Sequence, residues 1–97
     1  MPKRTEFIVR HGMIVSGRVQ AVGFRKYVLA YASELKLAGF CRNLPSGEVE
    51  VEAEGSPEKI EQLFRLLQVG PPRGQVEKVT LSAALPLQFE SAFEIRY

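Results

Sequence analysis

The segment most able to do chemistry is a loop bounded by Gly17 and Gly23, which leads directly into Arg25. Backbone N–H groups in such a loop can point inward, and a following helix adds about half a positive charge at its N-terminus. Arg25 falls in the first turn of that helix, where its planar guanidinium can hold two phosphate oxygens. The Gly-Lys-Ser/Thr ending of a Walker loop is missing. Spacing alone therefore leaves open a plain strand-to-helix turn with a surface arginine.

A second candidate is Asn43, which stands near the end of a predicted strand, two residues before Pro45. Its carboxamide can both donate and accept hydrogen bonds, so it could orient a water molecule. Taken alone, the residue is explained better by turn chemistry ahead of a proline. We interpret His11 and Cys41 as structural, because the histidine falls mid-strand and no neighbour of the cysteine would lower its pKa.

The elements that must position these residues follow from hydrophobic periodicity, which is two in strands and close to four in helices. The first helix is predicted to begin at Phe24 and to end at Gly39, and the second to begin at Pro57 after a cap at Ser56 and to end at Gly70. Strands are predicted at 7–16, 40–44, 48–54, 75–85 and 89–97.

The resulting order is β-α-β-β-α-β with an added C-terminal strand. Each helix has one apolar stripe to bury, and right-handed crossovers place both helices on one face of the sheet. We therefore expect an α+β fold, a ferredoxin-like sandwich with a mainly antiparallel sheet, as a single domain over residues 1–97. Such a fold carries many different activities and predicts none by itself.

Composition excludes several classes of function. A net charge of +2 is too small for a dedicated nucleic-acid binder. A single cysteine allows no internal disulfide, and together with one histidine it provides no typical zinc site. No apolar run approaches the roughly 20 residues of a membrane span. We expect a cytoplasmic protein with no membrane, nucleic-acid or metal partner.

Two motifs resemble those of a known family. The run Gly17-Arg18-Val19-Gln20-Ala21-Val22-Gly23-Phe24-Arg25 closely resembles the acylphosphatase signature Gly-x-Val-Gln-Gly-Val-x-Phe-Arg. The segment Gly39-Phe40-Cys41-Arg42-Asn43, followed by Gly47-Glu48-Val49 and Gly55, is similar to the second signature of that family. Two independent motifs are far more specific than one, and the resemblance extends across nearly the whole chain.

The resemblance implies an activity. Acylphosphatases hydrolyse the carboxyl–phosphate bond of a small-molecule acyl phosphate to a carboxylate and inorganic phosphate, by in-line attack of water. Arg25 matches the phosphate-binding arginine, and Asn43 matches the asparagine that orients the water. The phosphate-binding loop then consists of Gln20, Ala21, Val22, Gly23, Phe24 and Arg25. The resemblance implies no metal or organic cofactor, and small size favours a monomer.

Ala21 departs from the family pattern, which has glycine at this position. If the backbone there has a positive φ, alanine costs about 1–2 kcal/mol. We therefore expect Ala21→Gly to raise kcat/KM for a generic acyl phosphate.

The alternative is a non-catalytic ferredoxin-like module that binds a ligand or RNA. RNA-recognition domains share this element order and stack bases on aromatic residues of one exposed strand face. Here the corresponding strand alternates glutamates, from Glu48 to Glu54, which would repel a phosphate backbone. The same motifs also occur in acylphosphatase-like domains of longer carbamoyl-transfer maturation proteins.

Overall fold

The computed structural model describes residues 7–88 and 91–97. In these residues the elements are β1 (Val9–Arg18), α1 (Phe24–Glu34), β2 (Ala38–Asn43), β3 (Val49–Gly55), α2 (Pro57–Val69), β4 (Gln75–Ala84) and β5 (Phe93–Arg96). The strands form one sheet in the order β4-β1-β3-β2-β5. All neighbours are antiparallel except β2 and β5, which run parallel. The predicted α+β, ferredoxin-like order with an added C-terminal strand is confirmed.

Both helices pack on one face of the sheet, where a single apolar core forms. The period of two in β3 sends Val49, Val51 and Ala53 into this core, each with 0% exposure. The helices bring their apolar stripes to the same cluster, and these consist of Phe24, Val28, Ala32, Ile60, Leu63 and Leu67. Each large apolar side chain buried in this way contributes about 1.5–3 kcal/mol, which holds the helices on the sheet. Of the helices described, none is long and apolar enough to cross a membrane.

The first strand begins and ends two residues later than predicted, so Gly17 and Arg18 belong to β1 and not to the loop. The pairing of β1 with β4 shifts register between Ser16 and Gly17. Gly17 has a φ of 122°, and a Cβ there would collide with the carbonyl oxygen of Gln75 on β4. The close approach of β4 therefore requires glycine at position 17. Because β4 can approach so closely, the pairing of β1 with β4 continues to the edge of the loop.

The first helix ends earlier than the predicted Gly39, which lies inside β2. Lys36 takes the left-handed conformation with a φ of 59°. Its N–H donates to the carbonyl of Ser33, and the N–H of Leu37 donates to that of Ala32. This is a Schellman ending in which lysine occupies the position usually held by glycine, and so the sequence did not reveal it.

The predicted cap of α2 and the extent of the last strand also differ from the structure. Ser56 precedes α2 as expected, but its hydroxyl makes no capping hydrogen bond. β5 is shorter than the predicted 89–97, and residues 89–90 of that range lie outside the described residues.

The predicted solvent-facing row of glutamates on β3 is wrong at Glu54, which is buried. Arg10 on β1, itself buried, contacts Glu52 at 2.6 Å and Glu54 at 3.0 Å. The Glu54 carboxylate also accepts the N–H groups of Leu87 and Gln88 at 2.8 and 2.9 Å. Burial alone would raise the pKa of this carboxyl, but the two N–H groups and the guanidinium outweigh burial and hold the pKa below its ordinary value. The buried carboxylate thus attaches the chain beyond β4 to the middle of the sheet.

We expect Glu54→Gln to lower the free energy of unfolding at neutral pH by about 1–3 kcal/mol, because hydrogen bonds to a charged group are lost. The folded pKa lies below the unfolded one. The stabilisation from Glu54 is therefore complete above the ordinary carboxyl pKa of about 4.3 and is lost as the pH falls through the folded pKa. Urea denaturation at several pH values measures the difference between the two proteins, which should shrink towards acid.

The matched control is Glu77→Gln, which removes an exposed carboxylate on β4. Little change in stability is expected from it. A loss in Glu54→Gln that is the same at acid and neutral pH would contradict the assignment.

Candidate active site

The turn from β1 into α1 is made by residues 19–23, and it contains two left-handed residues. The φ angle is 60° at Ala21 and 82° at Gly23. The condition stated for Ala21 is therefore met, and alanine occupies a conformation that glycine adopts more easily. In a turn of this kind, successive backbone N–H groups can point towards one side and form an anion-binding nest.

The N-terminus of α1 is open and basic. Gly23 is the N-cap residue, no side chain caps the helix, and the first turn contains no acidic residue. The N–H groups of that turn therefore have no intrahelical partner and remain available to a ligand. Arg25 and Lys26 add two positive side chains to the same turn, so that the electrostatic potential at this end of the sheet favours an anion.

Asn43 is the last residue of β2 and is half-buried. Its Oδ1 atom is buried and has no hydrogen-bond partner among the described residues. An unpaired buried acceptor costs about 1–3 kcal/mol, so such atoms are rare and call for an explanation. The atom is therefore available to accept a hydrogen bond from a water molecule or a ligand.

One cavity of about 270 Å³ brings these parts together. Arg25 and Asn43, the two residues to which the sequence assigned catalysis, both contribute to its wall. Its lining residues are Val19, Ala21, Gly23, Phe24, Arg25, Lys26, Asn43, Ile95 and Tyr97. Of the predicted loop, Gln20 and Val22 are not among them: Gln20 hydrogen-bonds elsewhere and Val22 packs on the core.

The sequence assigned no site role to Lys26, Ile95 or Tyr97, which form part of this wall. Ile95 and Tyr97 reach it because β5 runs parallel to β2, with Ile95 opposite Cys41. The Tyr97 ring centroid lies 4.9 Å from Cζ of Arg25, which is a cation–π contact. Lys26 could have been found from its place beside Arg25, but the parallel pairing of β5 leaves no local signal in the sequence.

Cys41 and His11 take no part in the wall. Cys41 is fully buried behind it, with Sγ 3.8 Å from the carbonyl oxygen of Arg25. Burial raises the pKa of the Cys41 thiol to about 12, although the positive charge of Arg25 acts in the opposite direction. The thiol is therefore neutral near pH 7 and is no nucleophile. In the part of the chain described, no three His, Cys, Asp or Glu residues are grouped so that they could hold a metal ion.

The fold and the pocket together define a class of protein: a ferredoxin-like α+β domain with a basic cavity at the strand–loop–helix end of its sheet. Comparison with known proteins makes this more specific. The model of the acylphosphatase family matches residues 12–95. The chain belongs to the acylphosphatase family.

Individual relatives agree with this assignment. The chain is 49% identical over 67 residues to an acylphosphatase of Chlorobaculum tepidum, covering 69% of this chain and 73% of that protein. It is 44% identical over 84 residues to an acylphosphatase of a Synechococcus species, covering 87% of this chain and 100% of that protein. The crystal structure of the acylphosphatase from Bacillus subtilis superimposes with a TM-score of 0.88 at 34% identity, covering 92% of this chain and 99% of that one.

The two left-handed loop residues provide a matched pair of variants. We expect Ala21→Gly to raise the free energy of unfolding by up to about 1 kcal/mol, because relief of the left-handed strain exceeds the extra entropy of glycine in the unfolded chain. The midpoint temperature of thermal unfolding should rise by a few degrees.

Gly23→Ala is the reverse substitution at the same kind of backbone, and a Cβ there meets no atom within 4 Å. It should lower stability by about 1 kcal/mol through backbone strain alone. Equal unfolding temperatures in all three proteins would show that the loop relaxes without strain.

Proposed function

We propose that this protein is an acylphosphatase, which hydrolyses the carboxyl–phosphate bond of acyl phosphates to a carboxylate and inorganic phosphate by in-line attack of water. One observation supports this most strongly. The left-handed loop, Arg25 and Asn43 all contribute to the wall of the same cavity, and Oδ1 of Asn43 has no hydrogen-bond partner among the described residues. The cavity combines donors for a dianion with an acceptor for a water.

The substrate explains why so few groups are needed. An acyl phosphate is a mixed anhydride, and its carboxylate leaves without strong acid assistance. What remains is to hold the phosphoryl group, to stabilise its equatorial oxygens and to place a water in line with the breaking bond. A rigid pocket of fixed dipoles can do this work without a metal or a covalent intermediate.

Arg25 and the loop would bind the phosphoryl group. The planar guanidinium can donate two parallel hydrogen bonds to phosphate oxygens. The Tyr97 ring centroid lies 4.9 Å from Cζ of Arg25, so that the ring makes a cation–π contact with the guanidinium. The N–H groups at the start of α1 supply the remaining donors, supported by the positive end of the helix dipole.

Asn43 would orient the nucleophile. Its Oδ1 accepts a hydrogen bond from the water, whose oxygen attacks phosphorus while the bond from phosphorus to the acyl oxygen breaks. A carboxamide is no base near neutral pH, so the water proton passes to an oxygen of the phosphoryl group itself. The products are a carboxylate and inorganic phosphate, and no protein group changes its charge.

We further propose that the protein acts as a monomer in the cytoplasm on a small molecule. The cavity, of about 270 Å³, is of a size that suits a small molecule. The single cysteine is buried and unpaired, which is compatible with a reducing compartment. The face of the sheet opposite the helices presents Glu50 and Glu52 beside Arg42, and this mixture of charges does not favour a nucleic-acid backbone.

The role of Arg25 in phosphate binding can be tested by substitution. We expect Arg25→Ala to lower kcat/KM for benzoyl phosphate by about a hundredfold or more, because the principal ligand of the developing charge is removed. The inhibition constant for inorganic phosphate should rise in parallel. Arg65→Ala, which removes an exposed arginine of α2, is the matched control. Activity of Arg25→Ala close to that of the control would remove Arg25 from its role.

Substitution of Asn43 separates water placement from phosphate binding. We expect Asn43→Ala to lower kcat by about a hundredfold, because the attacking water loses its acceptor. Inhibition by inorganic phosphate should change little, unlike in Arg25→Ala. Arg42→Ala alters the neighbouring residue of β2, which is exposed on the other face, and serves as control. Retained turnover in a folded Asn43→Ala, verified by circular dichroism, would refute the assignment.

A further inference from the structure

The side chain of Gln20 turns away from the cavity and reaches the hairpin between β2 and β3. Its Nε2 atom donates to the carbonyl oxygen of Leu44 at 2.8 Å and to that of Glu48 at 2.9 Å. A carboxamide nitrogen carries two hydrogens, so both are used. Leu44 directly follows Asn43 in the chain. Gln20 therefore connects the loop before Arg25 to the strand end that carries Asn43.

The hairpin has closing hydrogen bonds of its own. The N–H of Leu44 donates to the carbonyl of Glu48 at 2.9 Å, and the N–H of Gly47 donates to the carbonyl of Leu44 at 3.0 Å. Gly47 has a φ of 98°, as expected in a three-residue hairpin loop that ends in a left-handed residue. The Gln20 amide thus joins two units, a closed hairpin and the loop, and is not needed to form the hairpin.

Few other polar contacts link these two units. Among the described residues, the remaining hydrogen bond between β2 and the start of α1 runs from Sγ of Cys41 to the carbonyl of Arg25, at 3.8 Å. A thiol is a weak donor, so this bond contributes little to alignment. The Gln20 bonds are short and partly buried, and buried hydrogen bonds of good geometry hold their groups more rigidly than exposed ones.

We propose that Gln20 is a positioning residue for acyl phosphate hydrolysis, which sets the distance between the phosphate cradle and the Asn43 carboxamide through its two hydrogen bonds to the hairpin. The inference rests on the proposed function. The phosphoryl group contacts the cradle and Arg25, whereas the water is held from the hairpin side. Loss of the connection would displace the water from phosphorus while every phosphate-binding group stays in place. A displacement of about 1 Å can reduce a rate by about a hundredfold.

The test uses Gln20→Met and Gln20→Asn in the full chain. Methionine matches the length of glutamine without its donors, and asparagine keeps the amide but is one methylene too short to reach both carbonyls. We expect kcat for benzoyl phosphate to fall by about tenfold to a hundredfold with methionine, and by less with asparagine. The inhibition constant for inorganic phosphate should stay within about twofold of the unmodified protein. Gln62→Met, at an exposed position of α2, is the matched control.

The outcomes separate this inference from the function on which it rests. An unmodified protein that does not hydrolyse benzoyl phosphate would overturn both. An active protein whose kcat is unchanged by either Gln20 substitution would overturn the inference alone. Parallel losses of kcat and phosphate affinity would also overturn the inference. Gln20 would then determine the conformation of the phosphate-binding loop itself, and not the distance between that loop and Asn43. If circular dichroism shows that Gln20→Met is unfolded, the same comparison with Gln20→Asn decides.

Discussion

The candidate site depends on one constraint: the chain must pass from β1 into α1 within five residues, 19–23. The chain makes this turn with left-handed backbone at Ala21 and Gly23. Gly23 also caps the helix, so that Arg25 falls in its first turn, and Ala21 and Gly23 both line the cavity. The apolar side chains of α1 then fix the direction of the helix on the sheet. The backbone conformation of the loop thus determines where the helix N-terminus and the Arg25 side chain lie in the pocket.

The opposite end of the sheet contributes to the pocket indirectly. β4 and β5 lie at the two edges of the sheet, so the chain between them must cross the other strands. In this crossing segment, the N–H groups of Leu87 and Gln88 donate hydrogen bonds to the Glu54 carboxylate. The Arg10 guanidinium neutralises the charge of that carboxylate. The crossing allows β5 to pair in parallel with β2 and to bring Tyr97 to the cavity. A buried ion pair far from the pocket therefore helps to complete its wall.

The sequence predicted what local periodicity and the two motifs contain: the order of elements, the core face of β3, and the presence of Arg25 and Asn43 at one end of the fold. It did not predict the burial of Glu54, because an alternating strand shows which face a residue takes but not what later crosses that face. It also missed the left-handed ending of α1 at Lys36, where lysine gives no signal. The sequence also did not predict the side-chain hydrogen bonds of Gln20, because they join residues that are 24 and 28 positions apart in the chain.

The three described non-glycine residues with a positive φ are Ala21, Lys36 and Gln88. Lys36 lets two carbonyls of the last helical turn accept hydrogen bonds, and Gln88 directs its N–H at a buried carboxylate. At those two positions, hydrogen bonds to the protein offset the strain. Ala21 makes no hydrogen bond to the described residues, yet it keeps the same backbone and lines the cavity. A strained residue without internal compensation is a common mark of a ligand site, and the proposed phosphate cradle gives Ala21 its missing partner.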